Sequence, residues 1–120
     1  MSRITLATLA LLLLAVAPAI AQDPTDVDPD HYQIVFENDQ VRVLRITYGA
    51  GEKSVMHEHP DAVFVALTDN HIRMHLPNGE TADGQNKKGE VSWTLADKHQ
   101  PENLGDDMVG ILVELKSPED

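Results

Sequence analysis

The run Gly51-Glu52-Lys53-Ser54-Val55-Met56-His57-Glu58-His59-Pro60-Asp61 sets two histidines one residue apart between a glycine turn and a proline. On an extended chain residues i and i+2 share a face about 6–7 Å apart, so His57 and His59 can converge on one ion. Neutral imidazole is a good ligand for several first-row metals, with bonds to zinc of about 2.0–2.1 Å. The same pattern also describes a solvated strand end beside Glu58 and Asp61. What the rest of the chain brings to this stretch decides between the two.

Outward from it, the chain divides into short segments rich in Val, Ile, Leu, Phe and Tyr, and no helical period is sustained over two turns. Upstream, Tyr32 to Glu37 and Val41 to Tyr48 read as strands joined at Asn38-Asp39, and Gly49-Ala50-Gly51 breaks the pattern. Lys53 to His59 follows. Downstream, Ala62 to Leu67 is apolar on both faces and reads as an interior strand; Thr68-Asp69-Asn70 turns into the alternating run His71 to Leu76. Pro77-Asn78-Gly79 is a tight turn, Glu80 to Lys88 is polar, and Glu90 to Leu95 resumes a strand with the only tryptophan, Trp93. His99 to Leu104 is a bend or short strand, and Met108 to Leu115 closes the series. About eight short strands without a helix predict an all-β sandwich or barrel.

The ends differ from this body. Met1-Ser2-Arg3, an apolar run from Ile4 to Val16, and Ala19-Ile20-Ala21 before Gln22 have the layout of a secretory signal peptide over residues 1–21. Residues 22–31, with their prolines and aspartates, predict a flexible acidic leader. The domain then spans 32–116, with a charged tail at 117–120. The protein has 20 acidic and 9 basic residues in 120, a net charge of −11, and loss of Arg3 on cleavage makes it more negative. Such a chain repels nucleic acid and anionic membrane surfaces, so neither is expected as a partner. With no cysteine, disulfides, thiolate metal sites and cysteine nucleophiles are excluded.

A third metal ligand has to come from a strand far away in sequence, and His99 is the candidate. Gly51 with His57-x-His59 and Pro60, then Gly89 with His99 and Asn103 four residues beyond, resembles the two paired motifs of the cupin family over about Ile34 to Leu115. The resemblance implies a small antiparallel β-barrel of jelly-roll type in which His57, His59 and His99 hold a divalent metal and Asn103 is structural. It also implies a small-molecule ligand or substrate, oxidation of a small anionic molecule by dioxygen as one activity, a non-catalytic binding module as another outcome, and a homodimer. Iron, manganese, zinc, nickel and copper all suit three histidines.

Two positions depart from the family pattern. Val63 and Phe64 stand where a glutamate usually supplies a fourth ligand, and Leu95 and Asp97 replace a proline and a glycine ahead of the last histidine. Three neutral imidazoles leave a bound divalent ion at a charge of +2, which favours an anionic ligand in its open position. Proton competition is expected to weaken metal binding as pH falls through the imidazole range near 6–7.

Other groups read as structural. His71 and His75 lie about 13 Å apart on a strand and cannot share an ion. Glu58 points away from its flanking histidines. Asp61 could swing in as a fourth ligand, although a solvated role is the simpler one. Met56, Phe64, Met74 and Trp93 could line a pocket near the metal, but core packing explains them as well and is the preferred reading; Arg42, Arg45 and Arg73 are candidate clamps for a substrate carboxylate, with the outer face the commoner place for each. No phosphate loop, nucleophile elbow or carboxylate pair is identifiable.

Overall fold

The structure is a computed structural model that describes residues 22–117; the expected signal peptide and Pro118–Asp120 of the tail lie outside them. The first element is a single helical turn, α1 (Pro24–Val27). Nine strands follow: β1 (Tyr32–Glu37), β2 (Val41–Tyr48), β3 (His57–His59), β4 (Ala62–Ala66), β5 (Asn70–His75), β6 (Thr81–Asn86), β7 (Val91–Thr94), β8 (Asp97–Asn103) and β9 (Met108–Leu115). They form two antiparallel sheets, one of order β1-β2-β9-β4-β7 and one of order β3-β8-β5-β6. The all-β jelly-roll expectation holds, with two facing sheets that are not closed into a continuous barrel. The polar run after Gly79 is a strand as well, paired with β5 from Asn70↔Asn86 to His75↔Thr81; its lack of apolar residues hid it.

The five-stranded sheet carries the apolar core. Leu44, Ile46, Ala62, Met108 and Leu112 are buried together with Tyr32 and Tyr48, because alternate residues of β2, β4 and β9 turn inward. Gly110 also faces inward, and a β-carbon there would run into the ring of Phe64. The missing side chain is what lets that ring lie against β9.

Residues 22–31, expected from composition to be a flexible leader, carry a helical turn with side-chain partners. Asp23 caps α1, its Oδ1 accepting from the Thr25 amide at 2.9 Å, and Pro24 occupies the first helical position, where a missing N–H costs nothing. Pro24 and Asp28 are buried. The segment's aspartates have partners in the domain that composition does not reveal: Asp23 pairs with Arg42 at 2.8 Å, and Asp28 Oδ2 accepts from the Val55 amide at 3.3 Å.

Candidate metal centre

Strand β3 pairs with β8 so that His57 lies directly across from His99, and His59 across from Asp97. Two loops fix this short pairing. Gly51, at a φ of +76° that favours glycine, opens the loop into β3. Asn103, fully buried at the end of β8, holds that loop: its Nδ2 donates to Gly49 O at 3.0 Å and to Asp106 O at 2.8 Å. Its Oδ1 accepts from the Gly105 amide at 3.1 Å. Asn103 is structural, as the resemblance implied.

The three histidine rings stand edge to face or tilted, with centroids 4.6 Å (His57–His59), 5.0 Å (His57–His99) and 5.2 Å (His59–His99) apart. Among the described residues these three form a group whose ligand atoms all lie within 4.8 Å of one another, so they can hold a metal ion. The hydrogen bonds set their tautomers. Nδ1–H of His57 donates to the Val55 carbonyl at 2.7 Å, and Nδ1–H of His59 to Glu114 Oε2 at 2.8 Å; a carbonyl and a carboxylate can only accept. His99 Nδ1 faces Asp97 Oδ2 at 3.5 Å. The Nε2 lone pairs of His57 and His59 are thereby left for a common ligand. His57 Nε2 in particular is buried without a hydrogen-bond partner, an omission that native interiors seldom tolerate. A divalent metal fits this donor set.

Burial, helped by the neighbouring His59 ring, pushes the His57 imidazole down to about 3. The same causes bring His99 down to about 4, against the pull of Asp97. Both rings are therefore neutral and ligand-ready well below the range near pH 6–7 expected from sequence, and proton competition at these two rings begins at lower pH.

The two departures from the family pattern acquire a structural meaning. Phe64 lies in the wall of the cavity beside the triad, so no carboxylate completes the ligand set there. The bend ahead of His99 is held without proline or glycine by Asp61, whose Oδ1 accepts from the Ala96 amide at 2.7 Å. Asp61 is thus a bend anchor and not a fourth ligand. Asp97, in place of the glycine, supplies the partner of His99 Nδ1.

His59 and His99 open onto a cavity of about 610 Å³ whose wall includes Ile46, Phe64, Ile72, Met74, Trp93 and Met108. The assignment of Met74 and Trp93 to the core is corrected: both line this cavity, and Trp93 is 53% exposed at its edge. Met56 is not in the wall. His71 faces Asp83 at 3.9 Å and His75 binds Glu102 at 2.9 Å, apart from the triad. Arg45 is exposed, while Arg73 pairs with Asp83 at 2.8 Å.

Sequence reasoning missed Glu114 and misplaced Arg42. Glu114 is 2% exposed and lies in register with Arg42 across β9 and β2. Arg42 Nε donates to its Oε1 at 2.6 Å, so the arginine points inward and not to the outer face. The available signal was a glutamate at an inward position of the alternating run Met108 to Leu115, which a buried charge occupies only with a partner. Behind the triad, Tyr32 and Tyr48 share a hydrogen bond, and burial holds both phenols protonated, far above their usual range.

No protein-family model and no curated protein matches the sequence. Solved structures do. A cupin domain from Bordetella pertussis Tohama I is 22% identical with a TM-score of 0.66, the match covering 72% of this chain and 92% of that one. A cupin superfamily protein from Desulfitobacterium hafniense is 15% identical with a TM-score of 0.55, covering 72% and 76%. An RmlC-like cupin protein from Desulfovibrio desulfuricans is 17% identical with a TM-score of 0.51, covering 87% and 92%. Independent sequences of such low identity share the path of this chain through both sheets, and the chain has the fold of a small single-domain cupin.

Proposed function

We propose that the protein binds one divalent metal through His57, His59 and His99 and takes a small anionic molecule at the open side of that ion, the molecule's apolar body lying in the cavity. The orphaned Nε2 of His57, buried beside two further free imidazole nitrogens, carries this reading. When bound, the ion would supply positive charge and, if redox-active, a route for electrons to dioxygen. Burial holds the His57 and His99 rings neutral, and the hydrogen bonds at Nδ1 of His57 and His59 orient those two rings. Oxidation of the anionic molecule by dioxygen is the activity this arrangement would serve. We also propose export, with cleavage before Gln22; no helix among the described residues is long and apolar enough to cross a membrane. The half-exposed Ile34, Val35 and Phe36 on the unpaired edge of β1 support a homodimer.

One observation favours a binding module instead. The cavity wall contains no lysine, arginine or glutamate, and Asp97, its one carboxylate, faces His99. No free general base adjoins the metal position. Metal analysis of the purified protein after growth with iron, manganese, zinc, nickel and copper, beside His57→Ala, tests the site: about one ion per chain is expected, and none in the variant. Absence of metal from the unmutated protein sinks the proposal. Oxygen uptake with thiols, enediols and phenols then separates enzyme from binder.

A further inference from the structure

The segment ahead of β1 reaches the triad by three routes. Asp23 Oδ2 pairs with Arg42 Nη1 at 2.8 Å, Arg42 Nε with Glu114 Oε1 at 2.6 Å, and Glu114 Oε2 with His59 Nδ1 at 2.8 Å. Asp28 Oδ2 accepts from the Val55 amide at 3.3 Å, and the carbonyl of the same Val55 accepts from His57 Nδ1 at 2.7 Å. The carbonyl of Gln22 accepts from the amide of Glu58, between the two ligands, at 3.1 Å. We propose that Asp23, Asp28, Arg42 and Glu114 are positioning residues for the metal centre, and that α1 is a strap whose docking and metal binding reinforce each other. This rests on the reading that the triad holds metal.

Glu114 carries most of the argument. A buried ion pair is a poor way to stabilise a core, since well-packed apolar side chains in its place are often as stable or more so. Its second oxygen instead fixes the ring of His59. A carboxylate on the far nitrogen of a ligating imidazole orients the ring and strengthens it as a donor. Arg42 offsets the charge of Glu114, and Asp23 holds the guanidinium from the other side. Asp23 does so while capping α1 with its other oxygen, so the strap and the relay share one side chain. By linkage, whatever factor strap docking contributes to metal affinity, metal binding returns to strap docking.

The experiment titrates the purified protein with Co(II), whose visible absorption reports coordination geometry, against Asp23→Asn, Glu114→Gln and His57→Ala. Asn caps a helix as well as Asp, so Asp23→Asn removes only the charge facing Arg42. Glu114→Gln is expected to weaken Co(II) binding roughly 10–100-fold and to shift the absorption band, with a smaller, severalfold loss in Asp23→Asn. Co(II) is expected to slow amide exchange at Asp28 and Glu58 in the unmutated protein. If Glu114→Gln fails to fold, Asp23→Asn, altered at the half-buried outer end of the relay, decides. Unchanged affinity and spectrum in the folded variants, where the unmutated protein binds Co(II) and His57→Ala does not, overturns the relay and leaves the metal site standing. No binding by the unmutated protein overturns both.

Discussion

The two sheets face the same interior with opposite chemistry. From the five-stranded sheet Leu44, Ile46, Ala62, Met108 and Leu112 turn inward and pack on one another. From the four-stranded sheet come His57, His59, His99 and Asn103, polar groups whose burial costs free energy unless each is partnered. Burial of Leu44, Ile46 and Leu112 stabilises by about 1.5–3 kcal/mol for each side chain, whereas β3 and β8 are held mainly by backbone pairing and by loops pinned on Asn103. Stability is concentrated in one layer, and the opposite layer is left free to carry ligands. Leu44→Ala tests that division most severely. Leu44 is fully buried, so about 2–5 kcal/mol of unfolding free energy should be lost, measured by denaturant titration of the metal-free protein. His57→Ala should cost clearly less, because it also removes a desolvated nitrogen that has no partner. Equal losses would mean that the site layer is as much a core as the other.

A second way to sharpen the contrast is pH. In the unfolded chain a histidine takes a proton below about 6.5, whereas folded His57 resists until about 3 and His99 until about 4. Between those limits the unfolded state binds more protons, so stability falls on acidification, by about 1.4 kcal/mol per pH unit for each ring. His31 behaves in the opposite sense: burial opposes its protonation, but hydrogen bonds to Asp28 and Glu52 outweigh that and raise it. Its contribution is complete below the unfolded value and is lost as pH rises through the folded one, so it leaves the acid slope untouched. Between about pH 5 and 6.5, above the ordinary carboxylate range, the slope in chelator-treated protein reports His57 and His99. His57→Gln should flatten it by about half, and an unaltered slope would show that burial does not hold His57 neutral.

The same division explains what was legible in the sequence. Strands β2 and β9 could be bounded from sequence because their alternation reflects one apolar face, and β1 because its apolar run is bounded by the turn at Asn38-Asp39. The triad was legible because ligand chemistry is residue-specific: few side chains can replace imidazole, and His57-x-His59 with a distant His99 survives without apolar context. Strand β6 was not, because Thr81–Asn86 pairs by backbone alone and its side chains stay exposed. The helical turn ahead of β1 was not legible for a related reason. Its contacts with the domain come from Asp23 finding Arg42 and Asp28 finding the Val55 amide, and such pairings between groups distant in sequence leave no periodic trace. Glu114 looked like one more acidic residue near the end of an acidic chain until β2 placed Arg42 beside it.

The smallest effect is expected at the open edge of the cavity. Trp93 is half-exposed and is joined at the cavity mouth by Leu95, 72% exposed. Large apolar side chains kept in water beside a cavity contribute little to folding, and a substitution at such a place typically changes stability within about 0.5 kcal/mol. Trp93→Ala should therefore unfold at nearly the same denaturant concentration as the unmutated protein and bind Co(II) with unchanged affinity, since β7 pairs with β4 in the other sheet and not with β3 or β8. What it should lose is grip on the apolar body of a ligand. Relative to a small anion such as azide, which reaches the ion without touching the wall, an aromatic carboxylate should bind the Co(II) protein more weakly in the variant, by severalfold in a competition titration. Loss of aromatic-carboxylate and azide binding together would place Trp93 in the support of the metal layer, and the boundary between packing sheet and ligand sheet would then have to be drawn elsewhere.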